Sequence, residues 1–266
     1  MAARVTLSVP IIFDRLDTAY DYASWHWQPD TPPDLICIGA ILVQHTQWSN
    51  VELALERLRN ADALSLAAVH ALPEDRLAAL VRPAGTPTIK AKRLRALAQL
   101  AHDHGALDAL LGLPTDGLRP LLLATPGIGP ETADAILLYA AGRPIFEIDA
   151  YTIRIFRRLG LGPSPRRTAG RAETKFSAKQ RKSVAAMPSP TATANDYHTW
   201  QRWFEDNLSP TTTCSLPRIG EGSANDLYRR YHALIVLHGK HTCRPKPLCT
   251  SCCLLDICPT GQPPVT

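Results

Sequence analysis

Long apolar runs, strand-like alternation and β-branched stretches are all scarce in this 266-residue chain. No apolar run approaches the ~20 residues that a membrane-spanning helix needs, so a membrane partner is not expected. No segment alternates apolar and polar residues with a sustained period of two, which argues against a sheet. The first residues lack an apolar core behind a basic start, so no secretory leader is expected. The chain is therefore read as cytoplasmic, where thiols stay reduced and disulfides are not expected. Cysteine is nearly missing from most of the length as well. Only Cys37 and Cys214 lie outside one short stretch that holds the other five of the seven.

What is present is a 45% hydrophobic composition, enough for a proper core, in a chain long enough for one large domain or two small ones. Lys plus Arg number 29 against 24 Asp plus Glu, a formal net charge of +5 that is compatible with a polyanionic partner. Ala, Leu and Arg are abundant, which favours helix. Apolar positions recur at helical spacing over residues 48 to 60, 73 to 81, 88 to 101, 106 to 112, 118 to 124 and 131 to 141, and again over 153 to 159, 196 to 207 and 225 to 239. Pro and Gly fall in the connections, as in Pro83-Ala-Gly85 and Pro126-Gly-Ile-Gly129. The expected fold class is all-α, an array of short helices. Residues 163–195 interrupt it with four prolines and a basic cluster including Arg166, Arg167, Lys179 and Lys182. They read as a flexible surface insertion or as a basic arm on a phosphate backbone.

The cysteine-rich stretch runs Cys243-Arg-Pro-Lys-Pro-Leu-Cys249-Thr-Ser-Cys252-Cys253-Leu-Leu-Asp-Ile-Cys258. Cys243, Cys249, Cys252 and Cys258 are separated by five, two and five residues, close enough for their thiolates to converge on a soft metal centre. A four-cysteine zinc site is the main rival, but it usually has two short hooks well apart in sequence. One short hook flanked by single cysteines suits a cubane iron–sulfur cluster better. Cys253 is a spare thiol, Cys37 reads as core, and Cys214 has no assigned role.

A second motif is Thr125-Pro-Gly-Ile-Gly-Pro130 between two apolar helical segments. Pro130 suits a first helical position. Gly127 and Gly129 permit a tight turn whose amides point outward, a cradle suited to phosphate. The same turn can also simply join two packed helices. Further on, Asp149 follows an apolar run and precedes a helix, where it suits an N-cap.

Together these residues resemble the endonuclease III branch of the helix–hairpin–helix (HhH-GPD) DNA glycosylases. The resembling segments are Gly39 to Trp48, Gly85 to Ala91, Pro126 to Ala133, Ile148 to Thr152, and Leu237-His-Gly-Lys240 leading into the cysteine loop. The first cysteine gap is five residues where the family usually has six. The resemblance implies a base excision enzyme acting as a monomer on double-stranded DNA that contains a damaged base, associated with the nucleoid through that DNA. It implies a six-helix domain over 32–140 and a second helical domain from 1–31 plus 141–266, with a [4Fe-4S] cluster on Cys243, Cys249, Cys252 and Cys258 in a loop at 243–258. It implies that Asp149 is the catalytic carboxylate, that Gln44 fills the gap left by a flipped base, and that Gly127, Ile128 and Gly129 contact DNA together with Lys90 and Lys240. Bifunctional members carry a lysine where this chain has Glu131, and a carboxylate cannot form the Schiff base that leads to strand cleavage. The expected enzyme is therefore a monofunctional glycosylase, close to the endonuclease III-related and 3-methyladenine glycosylase subgroup. The alternatives are weak lyase activity and a catalytically impaired damaged-DNA-binding protein. After Gly85 the family often has a bulky apolar wedge; here Thr86-Pro87 follow. Trp25, Trp27 and Trp48 are candidates for base stacking or for core.

Overall fold

The computed structural model describes residues 7–163, 194–208 and 224–261. Among these residues the regular elements are helical, with no strand. The helices are α1 (Val9–Ala19), α2 (Pro33–Leu42), α3 (Trp48–Arg59), α4 (Leu66–Ala71), α5 (Glu74–Val81), α6 (Pro87–Asp103), α7 (Leu107–Leu111), α8 (Thr115–Ala124), α9 (Pro130–Ala135), α10 (Ala150–Arg158), α11 (Ala194–Asn207) and α12 (Ala224–His241). Nearly all of the basic insertion at 163–195 lies outside the described residues, and so does Cys214.

The chain divides into two compact units. One comprises Asp17–Glu147 and Ser215–Leu234; the other comprises Met1–Leu16, Ile148–Cys214 and Ile235–Thr266. The divisions fall at Leu16/Asp17 and Glu147/Ile148, where the sequence suggested 31/32 and 140/141. Side-chain contacts explain the shift. The Trp25 and Trp27 rings lie 6.2 and 5.0 Å from that of Tyr139, which ties the segment before α2 to this unit. The Asn225 amide donates to the carbonyls of Leu138 (2.9 Å) and Arg143 (3.0 Å), which brings the start of α12 to it as well.

The larger unit is organised around α2 and α6. Ile36 to Leu42 of α2 are buried without a break, so this helix is apolar all round, as a central helix must be. α6 turns Ala91, Leu94, Leu97, Ala98 and Ala101 inward at helical spacing and packs on α4 and α5. Each fully buried Leu contributes on the order of 1.5–3 kcal/mol relative to an exposed one. After α9 the chain widens into one π turn, Ile136–Ala140, closed by the Ala141 amide on the Ile136 carbonyl (2.9 Å). Asn225 satisfies the Leu138 carbonyl within it.

The smaller unit packs Ile12, Phe13 and Leu16 of α1 together with Ile155 and Phe156 of α10 and Phe204 of α11, all essentially inaccessible. Phe156 and Phe204 meet edge to face at 4.8 Å. Arg15 reaches Asp256 through two hydrogen bonds (2.7 and 2.9 Å) and so fastens α1 to the end of the cysteine loop. That fork holds the Asp256 carboxyl below its ordinary range.

Candidate functional site

The Pro126–Gly129 turn joins α8 to α9. Gly127 lies at φ 85°, a left-handed conformation that glycine adopts without penalty. Below the turn the two helices are cross-linked by Arg119 and the wholly buried Asp134 (2.7 and 3.1 Å), a bidentate pair that sets the hairpin angle. Gly127 and Gly129 are exposed, and among the described residues their amides have no hydrogen-bond partner. Ile128 differs from the expectation for it. Its side chain is buried and its amide donates to the Thr125 carbonyl (3.1 Å), so it closes the turn from within.

Gln44 follows α2 and its side chain lies on this hairpin. Its Nε2 donates to the Gly127 carbonyl (3.1 Å) and to Thr132 Oγ1 (3.0 Å), and its Oε1 accepts from Arg93 of α6. The structure thus brings together Gln44 and the hairpin, two sites 83 residues apart in sequence. Arg93 was missed from the sequence. It belongs to none of the quoted motifs, and its only signal was a helical step of three from Lys90.

Lys90 requires a correction. It was expected at the DNA surface, but it is 2% exposed. Its ammonium donates to the Leu42 carbonyl (2.8 Å) at the end of α2 and to the Ala84 carbonyl. Burial, reinforced by the nearby Arg93 charge, lowers its pKa from 10.5 to about 8. This lysine satisfies backbone carbonyls and does not face a ligand. Lys240 is half-exposed in the last turn of α12.

Asp149 lies in the smaller unit and is the N-cap of α10, with extended backbone at φ −114°. Its Oδ1 accepts from the Thr152 amide (2.7 Å) and from Thr152 Oγ1 (2.8 Å), and the residue is 7% exposed. The carboxylate is thereby fixed in one rotamer by the first turn of its own helix. Tyr151, one turn away from the loop contacts, packs against Gly239 of α12, where any Cβ would collide with its ring.

The other end of α10 forms a wall of the cysteine pocket. Cys243, Cys249, Cys252 and Cys258 all line one open pocket, together with Ile155 and Arg158. Arg158 donates to the carbonyls of Arg244 (2.7 Å) and Pro245 (2.9 Å) and approaches Cys243 Sγ (3.2 Å). Its own carbonyl accepts from Thr260 Oγ1 (2.6 Å). Arg154 reaches the carbonyls of Cys243 (3.1 Å) and Gly239 (3.0 Å). Burial raises the Cys252 thiol pKa, with the neighbouring thiols adding to it. Burial likewise pushes Cys253 up to about 11. His238, on the same pocket wall, is lowered to about 4 by burial and then by Arg154. Among the described residues, no three His, Cys, Asp or Glu side chains converge on a point where one metal ion would sit.

Trp25 and Trp27 are core, at 5% and 4% exposure, and their indole N–H groups have no hydrogen-bond partner among the described residues. Trp48 is half-buried and stacks on His26 at 3.4 Å. Cys37 is buried in α2, and burial raises its pKa. Glu131 is exposed in the first turn of α9.

The profile of the HhH-GPD superfamily base excision DNA repair proteins matches residues 38–180, more than half of the chain. The chain belongs to this family. A Methanocaldococcus jannaschii relative, named for a DNA repair glycosylase, is 34% identical over 242 residues, 90% of each chain. Endonuclease III of Sulfolobus acidocaldarius is 27% identical over 180 residues, 67% of this chain and 59% of its own. The structure of H. pylori 3-methyladenine DNA glycosylase bound to 1,N6-ethenoadenine is similar at a TM-score of 0.65 and 26% identity, over 88% of this chain and 98% of that one. A non-covalent endonuclease III–DNA complex, 18% identical, shares the fold at a TM-score of 0.63. No described helix is long and apolar enough to cross a membrane.

Proposed function

We propose that this HhH-GPD protein is a monofunctional DNA glycosylase that works as a monomer on duplex DNA and hydrolyses the N-glycosidic bond of a damaged base. The observation that carries the reading is Asp149, a buried carboxylate held in place by Thr152 at the head of α10. A carboxylate fixed before the reaction stabilises positive charge that develops on the sugar as the bond to the base breaks. It also orients the water whose oxygen then bonds to the anomeric carbon. The departing base takes up a proton, and an abasic site remains in an uncut strand. The exposed amides of Gly127 and Gly129 are suited to a backbone phosphate, which positions the duplex without reading its sequence.

Two observations support a glycosylase without lyase activity. Glu131 presents a carboxylate where bifunctional members use an amine. Lys90, whose lowered pKa would suit a nucleophile, is sealed behind two carbonyls and cannot reach a sugar. The relative bound to 1,N6-ethenoadenine supports a modified purine as the first substrate class to examine.

The cysteine pocket suits a [4Fe-4S] cluster. The four cysteines line one pocket, and their spacing, one short hook flanked by single cysteines, suits a multi-iron cube. Cys243, Cys249, Cys252 and Cys258 would hold it. When bound it would supply a cross-link between the two ends of the loop, while Arg154 and Arg158 orient that loop against α10.

The test is incubation with a panel of lesion duplexes, each divided and treated with or without alkali. Strand breaks that appear only after alkali are expected. Breaks without alkali, accompanied by a borohydride-trapped adduct, would refute the monofunctional reading.

A further inference from the structure

Arg93 has an unusual electrostatic position. It is half-buried, and among the described residues no carboxylate pairs with it. Its one hydrogen-bond acceptor there is the neutral amide oxygen of Gln44. It lies close enough to a cation, Lys90, for the two charges to repel. Its aliphatic stem lies against Gly127 so closely that any Cβ at that position would collide with it. The guanidinium therefore borders the turn whose amides at Gly127 and Gly129 are exposed and unpartnered. A guanidinium bound to a neutral acceptor has a stronger alternative in an anion. Charge-assisted bonds are roughly twice as strong as neutral ones, and the planar fork matches phosphate.

Gln44 is saturated in the same structure, with both amide hydrogens and its oxygen engaged. A side chain held in this way does not leave the hairpin unless one of its partners is withdrawn.

We propose that Arg93 is a phosphate ligand that also latches Gln44: a DNA backbone phosphate on the hairpin draws the guanidinium away from Gln44 Oε1 and frees that side chain to move toward the duplex. This rests on the DNA-binding part of the function proposed above and adds to it a residue and an order of events. Backbone capture comes first, and release of Gln44 follows. The latch keeps a polar side chain folded back until a strand is in place. Arg93 acts on Gln44 as a positioning residue.

The test is binding of the full chain to a duplex carrying a tetrahydrofuran abasic analogue, which no glycosylase can cleave, over a series of salt concentrations. One lost phosphate contact lowers the slope of log affinity against log salt by about 0.9. Arg93→Met should show that loss and bind roughly tenfold more weakly, while Arg93→Lys keeps the charge and the wild-type slope. The Gln44 side-chain amide resonance of the wild type should shift when DNA binds. In free Arg93→Met it should already be displaced from its wild-type free position. An unchanged slope in Arg93→Met with wild-type DNA affinity, or a Gln44 resonance that DNA does not move, overturns the proposal. Arg93→Gln, which also removes the charge, supplies the slope comparison if the methionine variant is poorly folded. A wild type that binds no DNA overturns the functional reading as well, so the two failures are distinguishable.

Discussion

Replacing Lys90 by methionine keeps the length and apolar character of the stem and removes the buried ammonium. The structure gives two opposing terms. The Leu42 and Ala84 carbonyls lose their donor, and each buried acceptor left unpaired costs about 1–3 kcal/mol. Against this, a pKa lowered from 10.5 to about 8 means that the folded protein disfavours the charged form by roughly 3 kcal/mol, a penalty the variant escapes. Near pH 7 the two terms partly offset: two carbonyls cost about 2–6 kcal/mol against roughly 3 kcal/mol, so the net falls between about 1 kcal/mol of stabilisation and about 3 kcal/mol of destabilisation. Between about pH 8 and 10.5 the unfolded chain binds more protons at this residue than the folded protein does. Wild-type stability therefore rises with pH relative to the variant across that window. By pH 9.5 some 1.5–2 kcal/mol of the penalty is lifted from the wild type, so the variant's stability relative to the wild type should fall by about 2 kcal/mol between pH 7 and 9.5. Urea denaturation of both proteins at pH 7 and 9.5, followed by helical circular dichroism, reads the difference; other titrating groups cancel between the two. An equal cost at both pH values would refute the assignment of Lys90 as a desolvated ammonium serving backbone carbonyls.

Three further outcomes follow from particular contacts. Asn225→Ala should destabilise by about 2–4 kcal/mol, because the carbonyls of Leu138 and Arg143 lose their shared donor; thermal unfolding measures it, and a melting temperature within a degree of wild type would contradict the pairing. Arg158→Met should accelerate loss of the visible absorbance of protein loaded with the proposed cluster under mild chelation, since four loop contacts go with the guanidinium; unchanged decay would show that the loop is held by other means. Gly127→Ala should weaken DNA binding, because the new methyl displaces Arg93 and the position is strained at φ 85°; affinity equal to wild type on an abasic-analogue duplex would count against the hairpin as the phosphate seat.

Helices with one apolar face were legible in the residues. The spacing of Ile89, Leu94, Leu97, Ala98 and Leu100 marks α6 and that of Val51, Leu53, Leu55 and Leu58 marks α3, although Ile89 and Leu53 are exposed. α2 was not legible as a helix, because Ile36 to Leu42 are buried on every side and a uniform run carries no period. α4, with six residues, is too short to display one. Pairing of distant segments was also hidden. The boundary after Glu147 depends on Asn225 and the tryptophans before α2, contacts that no local pattern announces.

For the site, local signals served local questions. Asp before an apolar helix indicated the cap that Asp149 forms, and the cysteine spacing indicated which four thiols share a pocket. Lys90 misled because a cation inside a DNA-enzyme motif reads as a surface charge. Its burial depends on carbonyls at Leu42 and Ala84, and only the packed structure brings them to it. Arg93 and Arg158 were invisible for the same reason. Each is one arginine among many until Gln44 or the loop carbonyls are placed beside it.

We propose that the Asp149 carboxylate, beyond capping α10, performs base excision. Asparagine caps a helix about as well as aspartate, so Asp149→Asn should keep the two Thr152 contacts and wild-type stability to within about 0.5 kcal/mol. Loss of the charge should slow release of free base from a lesion duplex by on the order of 10²-fold or more under single-turnover conditions. The measurement is the amount of free base released over time by wild type and by Asp149→Asn, alongside their melting temperatures. Base released by the wild type and not by an equally stable variant is the predicted result. A variant that releases base at the wild-type rate would contradict the account.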